Sequence, residues 1–319
     1  QAQASVYAGA YIGVDNLQIS TTGVGDPAVP INYIFTIENT ATLNGTADIQ
    51  GNTCQGQIGS PTFTTCSTTG NVLDSDAAQV GTAQANNTFT YLGPGSGEYA
   101  RGDSVISDAQ LVSGNPTASE NIAESELQNT GTASSASSIQ SNTGLTFVFD
   151  VSGPGTISLA FEVDVDLLAH TSEPDAIVAS AQASTSFQFL LSQDNTGNSV
   201  TWAPDTAGVE VGSCSDATAS GAGVTCTAQT VAEDLNVEVG INTNVADDPY
   251  SRSPDADPGY GSYFASFSFE EAGRYTLTLT EEKRVQVSLI KQIPEPSLLL
   301  LLGTGLIGMG IARRRIRKA

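Results

Sequence analysis

Nucleophilic hydrolysis needs a base beside its nucleophile, and this sequence has a single imidazole to offer. His170 sits in Ala169-His170-Thr171-Ser172-Glu173-Pro174, which reads as a turn between two strands, and no G-x-S-x-G elbow accompanies it. A loop histidine is the simpler reading. Glycoside cleavage needs two carboxyl groups a few ångströms apart in a cleft. Asp164 and Asp166 share one strand face, but with 34 Asp and Glu in the chain their alternation reads as a solvated face. The chain is therefore expected not to be an enzyme. Hard oxygen ligands suit calcium, and Asp247, Asp248, Asp255 and Asp257 crowd four carboxylates into what reads as a loop. Their spacing is not that of an EF-hand, which also wants a bidentate Glu at its end. A weak calcium site is the most these residues suggest, a solvated acidic loop is the simpler reading, and no other cofactor is expected.

Cys54, Cys66, Cys214 and Cys226 fall into two local pairs, each with eleven residues between. Neither pair has the C-x-x-C spacing of zinc or redox motifs, and one histidine is a poor complement for a structural zinc. Two local disulfides, Cys54–Cys66 and Cys214–Cys226, are expected, although four cysteines allow three pairings. Each would contribute about 2–3 kcal/mol by constraining the unfolded chain, and disulfides persist outside the cytoplasm. The opening Gln1-Ala2-Gln3-Ala4-Ser5 resembles the small-residue region around a signal-peptidase cut.

The elements that must carry these residues read as β. Apolar or alternating runs occur at 5–20, 31–37, 88–92, 104–112, 145–151, 156–168, 177–191, 209–211, 224–227, 235–241, 263–269, 275–280 and 285–290. In Phe161-Glu162-Val163-Asp164-Val165-Asp166-Leu167 the apolar side chains face one way and the carboxylates the other. Such alternation, punctuated by Gly, Asn and Pro, predicts an all-β fold, an antiparallel β-sandwich of jelly-roll-like form. Residues 118–127 carry Glu120, Glu124 and Glu126 among Ile122, Ala123 and Leu127, a pattern open to a short helix. Residues 130–142 are Ser/Thr/Ala-rich and read as a loop, so a body of residues 1–291 is expected to hold an insertion near 113–142. Asn44-Gly45-Thr46 and Asn86-Asn87-Thr88 fit the N-x-[ST] sequon by chance, and Arg101-Gly102-Asp103 spells an adhesive tripeptide that by itself carries no weight.

Charge is divided unevenly along the chain. The net charge is -23, yet Arg313, Arg314, Arg315, Arg317 and Lys318 crowd the far end, so the sequence before Pro294 holds an excess of 27 negative charges. Such a body repels phosphate backbones, which excludes nucleic acid as a partner. The tail, 292–319, has three parts in strict order. Pro294-Glu295-Pro296 interrupts regular structure. Residues 297–312 follow without a charge, then the basic cluster at 313–318. As a helix the uncharged stretch would span about 24 Å, a minimal transmembrane segment with its cationic flank on the cytoplasmic side.

Pro-Glu-Pro, a short Leu/Gly-rich span and an Arg-rich end together resemble the PEP-CTERM sorting signal of Gram-negative bacteria. The resemblance implies an exosortase as processing partner, with cleavage near Pro294, Glu295 and Pro296. It also implies a precursor held transiently in the inner membrane, then release to the cell surface or an exopolysaccharide matrix. It covers only the tail. For the body, the expected function is a structural or biofilm-associated role at the surface, with exopolysaccharide or further copies of the chain as partners. The alternative is a carbohydrate-binding adhesin using exposed aromatics such as Trp202, Tyr260 or Tyr263. A polysaccharide-acting enzyme comes last.

Overall fold

Every second residue from Phe161 to Leu167 is apolar, and an extended chain can bury such a row only by laying one face of a sheet on another layer. The computed structural model does this throughout. It describes residues 5–23, 32–56, 72–107, 116–129, 131–139, 145–172, 177–204, 217–230, 234–242, 247–252 and 261–291. In chain order the strands are β1 (Val6–Gly23), β2 (Asn32–Leu43), β3 (Thr46–Gly56), β4 (Leu73–Asp74), β5 (Ala78–Gly81) and β6 (Tyr99–Ser107). Next come β7 (Thr117–Leu127), β8 (Gly131–Ile139), β9 (Leu145–Val151), β10 (Gly155–Thr171), β11 (Ile177–Gln193) and β12 (Ser199–Trp202). The last six are β13 (Ala217–Ser220), β14 (Val224–Thr230), β15 (Glu238–Asn242), β16 (Asp247–Arg252), β17 (Gly261–Phe269) and β18 (Gly273–Lys291).

Among the described residues these form two nine-stranded antiparallel sheets and no helix. Sheet one runs β14-β17-β10-β1-β7-β6-β4, with β16 beside β10 and β5 beside β6. Sheet two runs β13-β12-β11-β18-β8-β2-β3, with β15 beside β11 and β9 against β18 and β2. The inner faces share one core. At one end Phe161 of sheet one lies among Phe187, Phe189 and Trp202 of sheet two, with ring centroids 5.3, 5.4 and 5.9 Å away. Tyr263 stacks on Phe161 at 5.2 Å. Trp202 and Tyr263 are thus core residues, buried at 0% and 3% exposure, and the expectation that they face solvent is corrected. Aromatics bury the most area per side chain, so the core claims them first.

Other expectations are corrected by the sheets. Residues 117–127, open to a helix, form β7 because β1 and β6 flank them on both sides. The spacing of Glu120, Glu124 and Glu126 is also a period-2 face. Residues 131–139, read as loop from composition, form β8 between β18 and β2. Residues 88–92, read as a strand, are irregular, and the two runs at 275–280 and 285–290 are one strand, β18. β2 and β3 are joined through Asn44 and Gly45, both at positive φ (48° and 85°), the two-residue turn whose twist matches a hairpin. β1 shifts register at Asn16, φ 55°, a bulge that lets an 18-residue strand bend with its sheet.

Candidate functional site

The outward face of sheet one carries the chemistry. Its central strands are in register so that Tyr7 lies opposite His170 on one side and Glu126 on the other. In the next outward row Gly9 is flanked by Leu168 and Glu124, then Tyr11 by Asp166 and Ile122, then Gly13 by Asp164 and Glu120. The glycines give the tyrosines room. A Cβ at Gly9 would meet the Tyr7 hydroxyl at 2.5 Å and the Tyr91 ring at 2.8 Å, and one at Gly13 would meet the Tyr11 hydroxyl at 2.5 Å. Tyr7 and Tyr11 therefore lie across the sheet rather than standing out from it.

The connection between β5 and β6, residues 82–98, straps over this face. Its anchors are carboxylates of β6 and β7. Glu126 accepts backbone N–H bonds from Gly95 (2.8 Å), Ser96 (3.0 Å) and Gly97 (3.3 Å). Gly95 and Gly97 have φ of 95° and 119°, which turns those successive N–H groups toward one anion. Glu124 accepts from Leu92 N (3.0 Å), Tyr99 Oη (2.9 Å), Tyr7 Oη (3.3 Å) and Arg101 Nη1 (3.0 Å). Arg101 and Glu124 are both fully buried, and Arg101 Nη2 donates to the Thr88 carbonyl. Asp103 accepts from Asn87 N at 2.8 Å. Desolvation and then the Glu124 charge push the Tyr7 and Tyr99 hydroxyls up, so they stay protonated and serve as donors. The Arg-Gly-Asp tripeptide is part of this anchorage, with Arg101 and Asp103 both buried.

Between strap and sheet lies an open cleft of about 550 Å³, lined by Tyr11, Glu120, Asp164 and Asp166 from the sheet and by Phe89 and Tyr91 from the strap. Tyr91 donates to the Asp166 carbonyl at 2.8 Å and meets the Tyr7 ring edge-on at 6.2 Å. Tyr11 donates to Glu120 at 3.3 Å. Desolvation raises Glu120, opposed by that hydrogen bond, and raises Asp166. It also raises Tyr11, with Glu120 and Asp164 adding to the effect. The cleft thus offers aromatic surface, hydroxyl donors and carboxylate acceptors on a rigid floor. Among the described residues no three His, Cys, Asp or Glu groups gather closely enough to hold a metal. The cleft carboxylates are spread out as acceptors, not converged as a chelate.

The residues singled out in the sequence fall elsewhere. His170 is a half-buried residue of β10, opposite Tyr7 and Asp247, not a turn residue. Asp247 and Asp248 open β16 rather than lying in a loop, and Asp255 and Asp257 lie outside the described residues. β16 tolerates Pro249 because, among the described residues, its ladder is with β10 alone. Cys54 on β3 and Cys226 on β14 are disulfide-bonded, and Cys66 and Cys214 lie outside the described residues. The sorting residues Pro294, Glu295 and Pro296 and the basic flank Arg313, Arg314, Arg315, Arg317 and Lys318 also lie outside them. The cleft leaves little trace in the sequence. Only the alternation of Asp164 and Asp166 signalled it, and Tyr11, Glu120 and Tyr91 join them only through register and the strap.

Comparison with known families assigns the tail. Residues 292–318 match the PEP-CTERM protein-sorting motif. That motif marks an exported protein with a membrane-anchored precursor and an exosortase as its processing partner. No curated protein and no solved structure matches the chain.

Proposed function

We propose that this chain is an exosortase-processed protein of the cell surface or extracellular matrix with a structural, biofilm-associated role, retained there by non-catalytic binding of polysaccharide. The cleft under the strap carries this reading. Sugars present apolar C–H faces and hydroxyl donors together, and Tyr11, Phe89 and Tyr91 offer flat apolar surface beside the acceptors Glu120, Asp164 and Asp166. Glu120 already accepts from Tyr11. It is separated from Asp164 by the whole of β1, about 10 Å between Cα atoms at ordinary strand spacing, so the two acceptors can meet different hydroxyls of one bound chain. In the precursor, residues 297–312 form the transmembrane helix and 313–318 its cytoplasmic flank. Cys54–Cys66 and Cys214–Cys226 are the disulfide pairs that fit an oxidising destination.

Retention on immobilised exopolysaccharide from the producing bacterium tests the cleft. Wild-type protein should be retained, and Tyr11→Ala or Asp166→Asn should each weaken binding about tenfold, about 1.4 kcal/mol. No retention of wild type sinks the polysaccharide reading, and release of shortened glycan overturns the non-catalytic one. Mass spectrometry of the mature C-terminus tests the routing. A chain ending near Pro294 supports it, and an intact Arg-rich end on released material overturns it.

A further inference from the structure

One buried cluster serves neither the cleft nor the tail. Lys283 and Glu281 project from β18 into the interior between the sheets, both fully buried and 3.0 Å apart. A lysine is almost never fully buried, and here one sits beside an amide from the opposite sheet. Asn121 of β7 donates Nδ2 to Glu281 Oε2 at 2.9 Å, the same oxygen that accepts from Lys283 Nζ. Ser119 donates to the other oxygen, Oε1, at 3.2 Å. Asn121 Oδ1 is buried with no hydrogen-bond partner among the described residues. An amine, a carboxamide and a carboxylate bound to both are therefore held together, with water excluded.

We infer that Lys283 and Asn121 join spontaneously in an intramolecular isopeptide bond, with Glu281 as the acid–base group. The balance needs no co-reactant. Lys283 passes a proton to Glu281, and the freed Nζ lone pair attacks Asn121 Cγ. The carbonyl oxygen, turned onto protonated Glu281 by rotation of the amide, accepts a proton as the tetrahedral centre forms. When that centre collapses, the C–Nδ2 bond breaks and Glu281 relays protons from Nζ and from the oxygen to the departing nitrogen. One C–N bond forms and one breaks. The protonated amine and the amide become a secondary amide and ammonium, and Glu281 returns to its carboxylate. Burial favours this chemistry, since desolvation lowers Lys283 and so favours its neutral, nucleophilic form. The reacting groups are presented by two rigid strands, which replaces an encounter with a fixed geometry. The product would tie β7 of one sheet covalently to β18 of the other, a useful property for a protein exposed outside the cell. This inference does not depend on the polysaccharide reading.

Peptide mapping of the folded full-length chain tests it. The expected result is one branched peptide joining the segments that hold Asn121 and Lys283, lighter by one ammonia than its parts. Tandem fragmentation assigns the loss, because ammonia lost elsewhere would lower the intact mass equally. In Glu281→Gln and Asn121→Ala the branched peptide should fall from nearly all molecules to background. Separate peptides from folded wild-type protein overturn the bond, whatever the variants do. A branched peptide that persists at wild-type level in Glu281→Gln overturns the role given to Glu281.

Discussion

Glu124 shows how much one side chain can organise. Fully buried, its carboxyl group is tolerable only because Arg101, Tyr7, Tyr99 and the Leu92 amide all donate to it. Removing the carboxylate takes away the ion-pair partner of the buried Arg101. Glu124→Ala should therefore cost about 3–5 kcal/mol in urea denaturation. Arg274→Ala is the contrast. It breaks the ion pair with Asp150 at 2.9 Å, but both side chains are about half exposed. A change below about 1 kcal/mol is expected there, since water and salt already screen the pair. Equal losses in the two variants would contradict the anchoring role of Glu124. Gly9 acts by being small: Gly9→Leu should displace Tyr91 and open residues 82–98 to limited proteolysis, with the sheet left intact.

Whether a segment became a strand depended on its neighbours as much as on its own pattern. β10 announced itself by alternation because its inner face meets apolar core and its outer face meets carboxylates and solvent. β7 did not, because it is covered on both faces. Its inner face meets the interior polar cluster, and on its outer face Glu124 and Glu126 accept strap amides that no local pattern reveals. β8 was hidden by composition, since Ser, Thr and Ala suit a loop as well as a central strand. The β2–β3 turn is legible: Asn44-Gly45 between apolar runs is a strong hairpin signal, the same residues that spell a sequon. Gly45 has open space around it, so Gly45→Val should act through φ alone. A loss of about 1–2 kcal/mol in denaturation is expected. Trp202→Ala, by removing the largest ring of the aromatic core, should cost about 3–5 kcal/mol. A neutral outcome would contradict its buried placement.

At the scale of the whole molecule, charge sets the dependence on pH and salt. Desolvation raises Asp103, Glu120 and Asp166 above the ordinary carboxylate range. A group raised by folding binds its proton more tightly in the native state, so stability falls as pH rises through the folded value. It is regained as pH drops toward the unfolded value of about 4. Asp150, held low by Arg274, works in the opposite sense, but it is exposed enough for water and salt to weaken its effect. The excess negative charge of the body adds self-repulsion that relaxes over the same range. The thermal midpoint should thus rise between about pH 8 and about pH 5, and added salt should narrow the difference. A midpoint that falls steadily over that interval would count against this account. The sequence by itself determined the all-β class, the wet and dry faces of the alternating strands, the acidic surface and the sorting tail. Each of these is written in local order or in composition, where a period of two or a row of motif residues needs no distant partner. The cleft and the Lys283–Glu281–Asn121 cluster were decided by tertiary structure alone. Glu120 and Asp166 become neighbours of one tyrosine only when β7, β1 and β10 align, and Lys283 and Asn121 meet on Glu281 only when two sheets close over them.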